Sequence, residues 1–118
     1  MRIISQNGNV DLPYEKFVFG ITKDNKIACC RECVAPPYEI YNGIIAEYSS
    51  KEKALKAMEM LRESYREYIA TITTTQGVAQ ALMFVDNNES NLKLSANIVN
   101  GIKKNIYFQF PKDDEVEV

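Results

Sequence analysis

The sequence predicts an α+β fold: a small antiparallel sheet packed with one or two long helices in a single domain. Three observations carry this expectation. Short β-branched and aromatic runs divided by turn residues fill positions 1–48. From Ser49 onward the apolar residues recur instead at three- and four-residue steps. Finally, 118 residues and 13.5 kDa are one domain's worth, so 1–118 is read as one unit.

The elements follow in order. Met1 to Ser5 is a short apolar run, and Asn7-Gly8 is a hairpin signal because both residues tolerate positive φ. Val10 to Leu12 is the return strand, stopped by Pro13. Lys16 to Thr22 alternates as a strand, Lys23-Asp24-Asn25-Lys26 turns it, and Ile27 to Cys30 follows. Pro36-Pro37 breaks the chain, and one further strand spans Tyr38 to Tyr48 with Asn42-Gly43 interrupting it. Strands at this spacing with tight turns build antiparallel sheets rather than βαβ units.

The helical part is 49–85. Ser49-Ser50-Lys51-Glu52 matches a capping box, with Ser49 as N-cap and Glu52 at N3. Leu55, Met58, Leu61, Tyr65, Tyr68 and Ile72 then form one amphipathic stripe, with Ala54 and Ile69 beside it. Thr71 to Thr75 is β-branched and Gly77 is a breaker, so Val78 to Phe84 is expected to resume as a second helix. Asp86 to Asn91 is a polar loop, and Leu92 to Ile102 reads either way. The C-terminal strand is 105–110, ended by Pro111, and the acidic tail from Lys112 is expected to fray.

Composition excludes several functions. Hydrophobic residues at 46% and charged residues at 25% argue against a wholly disordered chain. The net charge of −2 argues against a protein that coats long nucleic acid. Histidine is absent, which excludes Ser-His-Asp triads, Cys-His pairs and histidine metal sites within this chain. No leader-like segment and no membrane-spanning apolar run stand out, and three cysteines without a leader point to the cytoplasm.

Cys30-Arg31-Glu32-Cys33 is a CxxC, but a zinc site needs a second pair and a redox site needs a helix N-terminus. Free, partly buried thiols fit better, and no metal or cofactor is expected. The carboxylates Glu52, Glu59, Glu63 and Glu67 interleave with Lys53, Lys56, Arg62 and Arg66, which is the pattern of a wet helix face. Nothing pairs two of them for acid–base work, so the chain is read as no enzyme.

Anion binding is the remaining chemistry. Arg62 and Arg66 are four apart, so both reach one side of a helix and suit a single phosphate. Lys103 and Lys104 precede Tyr107, Phe108 and Phe110, whose faces suit a base. The plainer alternative puts Phe108 or Phe110 in the core and the cations in water.

Three blocks resemble small phage and prophage proteins. They are Met1-Arg2-Ile3-Ile4-Ser5-Gln6-Asn7-Gly8 with Pro13-Tyr14-Glu15, then Ala46 to Ala54 running to Ala57-Met58-Glu59-Met60-Leu61-Arg62, and Phe108 to Glu115. The characterised group they resemble is the first family of Thoeris anti-defence proteins. That resemblance implies a sponge in the host cytoplasm for cyclic ADP-ribose isomers or cyclic oligonucleotides. It also implies dimers, hexamers and pockets lined by two subunits. Arg62 falls in a matching block. On chemistry alone, Phe84 with Asn87 and Asn88 suits base stacking and hydrogen bonding. The candidate ligand set is therefore Arg62, Arg66, Phe84, Asn87, Asn88, Lys103 and Phe110. The alternative is a small module or inhibitor that docks on a host protein. Either way, the apolar stripe and Val78 to Val85 exceed what a small core buries, which predicts a homo-oligomer.

Overall fold

Six short strands and one long helix make up the described residues of the protein. The computed structural model describes residues 1–31, 42–82, 97 and 106–118. In chain order they are β1 (Arg2–Ile4), β2 (Asp11–Pro13), β3 (Phe17–Ile21), β4 (Lys26–Arg31), β5 (Asn42–Glu47), α1 (Lys51–Leu82) and β6 (Tyr107–Gln109). Short 3-10 turns occupy Tyr14–Lys16 and Asp113–Glu115.

The strands form two three-stranded sheets, β2-β1-β6 and β3-β4-β5. The second is antiparallel throughout, with Val18 opposite Cys30 and Gly20 opposite Ala28. The first is antiparallel between β1 and β2 and parallel between β1 and β6. A parallel neighbour requires a long connection, and α1 with the chain after it supplies one. Asn7-Gly8 does turn β1 into β2, with Gly8 at φ 80°, and the Ser5 N–H closes the loop on the Val10 carbonyl at 2.8 Å. Asn25, at φ 61°, turns β3 into β4. Pro13 ends β2 on the outer edge of its sheet, where a missing N–H costs no ladder bond.

Gln6 stitches the two sheets together. Its backbone N–H donates to the Ile45 carbonyl, and its carboxamide both donates to the Glu47 carbonyl and accepts from the Glu47 N–H, each at 3.0 Å. The same Nε2 reaches the Pro111 carbonyl at 3.0 Å. One side chain thus acts as an extra strand residue along β5.

The capping box is displaced by one residue. Ser50, not Ser49, caps α1, its hydroxyl accepting from the Lys53 N–H at 3.2 Å. Ser49 instead donates its N–H and its hydroxyl to Asp113. The expected break before Val78 is also not found among the described residues, because α1 continues through Gly77 to Leu82. A helical glycine costs only about 1 kcal/mol, and the Thr75 hydroxyl finds a partner inside the helix, the Thr71 carbonyl at 2.7 Å. At 1.5 Å per residue α1 is about 48 Å long.

Helix α1 buries Ala54, Ala57 and Leu61, with Met58, Tyr65 and Tyr68 packed beside them. Two alanines let its backbone approach the sheets closely. The buried stripe is therefore turned from the expected one, leaving Leu55 and Ile69 exposed. The core also contains Met1, Ile3, Leu12, Ile27, Cys29, Ile45, Ala46, Tyr48, Phe110 and Val116, so both sheets and the helix share it. Nor does the acidic tail fray: Val116 is 3% exposed and Asp113 is bound to Ser49.

Candidate functional site

Helix α1 places its cations on two sides of one ridge. Arg62 and Arg66 are both exposed and both line a groove of about 660 Å³ that runs along the outer face of α1 towards Val118. That groove also holds Glu52, Glu59, Glu63 and Glu117 against Lys56 and the two arginines, so its charges nearly cancel. Lys56 donates to Glu59 at 3.0 Å, and this hydrogen bond holds the Glu59 carboxyl below and the Lys56 ammonium above their ordinary pKa. The arginines share a face as their spacing requires. That face is a charge-balanced surface with the Lys56–Glu59 pair on it, more than a bare phosphate grip.

On the other side Arg62 meets aromatic residues. A groove of about 470 Å³ opens between α1 and the chain from Tyr14 to Phe19, lined by Tyr14, Glu15, Phe17, Val18, Phe19, Met58, Leu61 and Arg62. Tyr14 and Phe19 of its wall belong to a run of rings that continues beyond the groove. Tyr14 stacks on Tyr65 with centroids 4.2 Å apart and on Phe19 at 5.8 Å, and Tyr65 continues to Tyr68 at 6.0 Å. The Arg62 Nε donates to the Met58 carbonyl at 3.2 Å, which lays the guanidinium back along the helix. Glu15 accepts from the Met1 amine at 2.9 Å. Burial pushes the Glu15 carboxyl up, but the amine's hydrogen bond and charge outweigh it and hold the pKa low.

Phe110 is a core residue. It is 1% exposed, with Phe108 edge-on at 5.3 Å and Phe19 at 6.4 Å, so its ring is filled by the core on both sides. Strand β6 turns it inward because it follows Phe108 in the shared core. Phe84, Asn87, Asn88 and Lys103 lie outside the described residues, as does Cys33. Cys29 is buried and free, its thiol pushed up by burial, and Cys30 is half-buried and free. Tyr14, Phe17 and Phe19 were missed as a site. Their signal was the alternation of β3, which puts both phenylalanines on one face, next to a tyrosine fixed by Pro13.

A third depression, about 310 Å³, lies on the outer face of the second sheet over Gly20 and Ala28. Val18, 56% exposed, and Ile44, 48% exposed, flank it. No helix among the described residues is long and apolar enough to cross a membrane. In comparisons with known proteins, no family model, no curated protein and no solved structure matches this chain.

Proposed function

We propose that this protein is a non-enzymatic sponge that binds a cyclic nucleotide signal and so inhibits bacterial anti-phage defence. A cyclic ADP-ribose isomer is the first candidate ligand, and cyclic oligonucleotides share its chemistry. The observation that carries this reading is the position of Arg62, an exposed guanidinium at the junction of a charge-balanced helix face and an aromatic groove. A cyclic ADP-ribose has two phosphates and an adenine, so it asks for an arginine beside a ring face. The resemblance to the first Thoeris anti-defence family supports the same conclusion. Sequestration needs tight binding and slow release but no catalytic group, which suits a chain without histidine.

The sponge acts as a homo-oligomer in the host cytoplasm. Exposed Leu55 and Ile69 along α1 supply apolar surface for a second copy. The rival reading, a module that docks on a host protein, draws on Val18 and Ile44 over the second sheet. Purification from phage-exposed cells separates the two. A small molecule absorbing near 260 nm that leaves with the denatured protein supports the sponge, whereas a stoichiometric host protein supports the module.

A further inference from the structure

We infer that the groove between Tyr14–Phe19 and α1 is a nucleobase subsite, which takes a purine nucleotide with its base on the aromatic wall and its phosphate on Arg62. This rests on the reading of the protein as a nucleotide binder and adds where the nucleotide sits. None of Tyr14, Phe17 and Phe19 belongs to the site that the sequence marks out.

Shape is the first argument. The groove's volume, about 470 Å³, falls within the roughly 300–1,000 Å³ usual for small-molecule sites. Its wall offers half-buried Tyr14, Phe17 and Phe19, whereas Met58 and Leu61 form an apolar floor. One side of Tyr14 is taken by Tyr65 at 4.2 Å, and the Tyr14 and Phe19 rings lie within 15° of parallel, so the wall has one common ring orientation for a planar base to lie along. Every base has a π-face, which makes such a wall tolerant of sequence but selective for flat rings.

Charge is the second argument. Glu15, the carboxylate of this groove, is already matched by the Met1 amine at 2.9 Å. Arg62 is therefore the charge left for an anion there, with its Nε fixed on Met58 and the rest of the guanidinium facing water. On the outer face of α1 the same arginine shares its surroundings with Glu52, Glu59, Glu63 and Glu117 against Lys56 and Arg66, a nearly balanced set that gives a phosphate little net attraction. The phosphate is thus favoured on the groove side, and the base follows it onto the rings.

The test is a heteronuclear NMR titration of the full chain with AMP, adenosine and inorganic phosphate. AMP and adenosine are expected to shift the amides of Tyr14, Phe17, Phe19 and Leu61. AMP should bind about tenfold tighter than adenosine, the worth of one charge-assisted hydrogen bond. Arg62→Glu should erase that advantage yet keep adenosine binding, which also reports that the variant is folded. Lys23→Glu, the same charge change in a distant turn, should keep the advantage. Groove amides that stay still would overturn the inference, as would an equal loss in Lys23→Glu. If the protein withdraws a cyclic ADP-ribose isomer while the groove stays still, the subsite fails and the sponge stands. If AMP shifts the groove but the isomer stays free, the sponge fails and the subsite stands.

Discussion

Asp113 accepts hydrogen bonds from the Ser49 N–H at 2.7 Å and from the Ser49 hydroxyl at 3.0 Å, joining the C-terminal segment to the entrance of α1. Lys53 adds its ammonium at 3.2 Å. A carboxylate at this place also faces the positive end of the helix dipole, which favours its ionised form. The tail is therefore part of the fold.

This contact predicts acid sensitivity. The Ser49 N–H, chiefly, and then the Ser49 hydroxyl and Lys53 hold the Asp113 carboxyl below its ordinary range. A depressed folded pKa gives stability that is whole above the unfolded value, about 4, and drains as pH falls through the folded one. Asp113→Asn should lower the melting temperature at pH 7, and the gap to the parent should narrow below about pH 4. Thermal melts across pH 2–7 measure both.

Gln6 predicts a loss of cohesion between the sheets. Gln6→Ala removes three side-chain hydrogen bonds, to both backbone groups of Glu47 and to Pro111. At about 1 kcal/mol net for each, and less for the exposed pair, the cost should be about 2 kcal/mol in urea unfolding. Gln6→Asn keeps the amide but falls one methylene short, so it should recover little of the loss.

Tyr48 predicts the alkaline limit. Its ring is 6% exposed and its hydroxyl donates to the Pro111 carbonyl at 2.9 Å. Burial, reinforced by the charges of Asp113 and Glu115, pushes its ionisation far above the ordinary range. Stability is then whole below the unfolded pKa of about 10 and is lost as pH climbs beyond it. Tyr48→Phe should cost about 1 kcal/mol at pH 7 and flatten the loss above pH 10.

Assembly is tested at Ile69. Light scattering should give a mass well above the 13.5 kDa of one chain at micromolar protein. Ile69 is 43% exposed, so Ile69→Asp should leave the monomer folded and reduce the assembly. A parent chain that scatters as a monomer would contradict the oligomer. Tyr65 is unsuitable for this purpose, because it stacks on Tyr14 and supports the monomer itself.

The sequence made the strands legible because Asn7-Gly8, Asn25 and Pro13 fix turns by local backbone preference. The parallel pairing of β1 with β6 was not legible, since it joins residues about a hundred positions apart and no local signal encodes it. The helix cap moved from Ser49 to Ser50 for a similar reason: two adjacent serines are equivalent until Asp113 claims one. At the candidate site, Arg62 and Arg66 were legible from their spacing on α1. The burial of Phe110 was not legible, because an aromatic beside lysines reads alike as a base platform or as core, and only the packing of Phe19 and Phe108 places it.

The central claim is sequestration without chemistry, and one measurement tests it most directly. The protein is mixed with a substoichiometric cyclic ADP-ribose isomer, filtered, then heat-denatured, and the small molecule is quantified at each step. The account predicts that the isomer is missing from the filtrate before heating and is recovered intact afterwards. An isomer that passes the filter throughout, or that returns chemically altered, would contradict it.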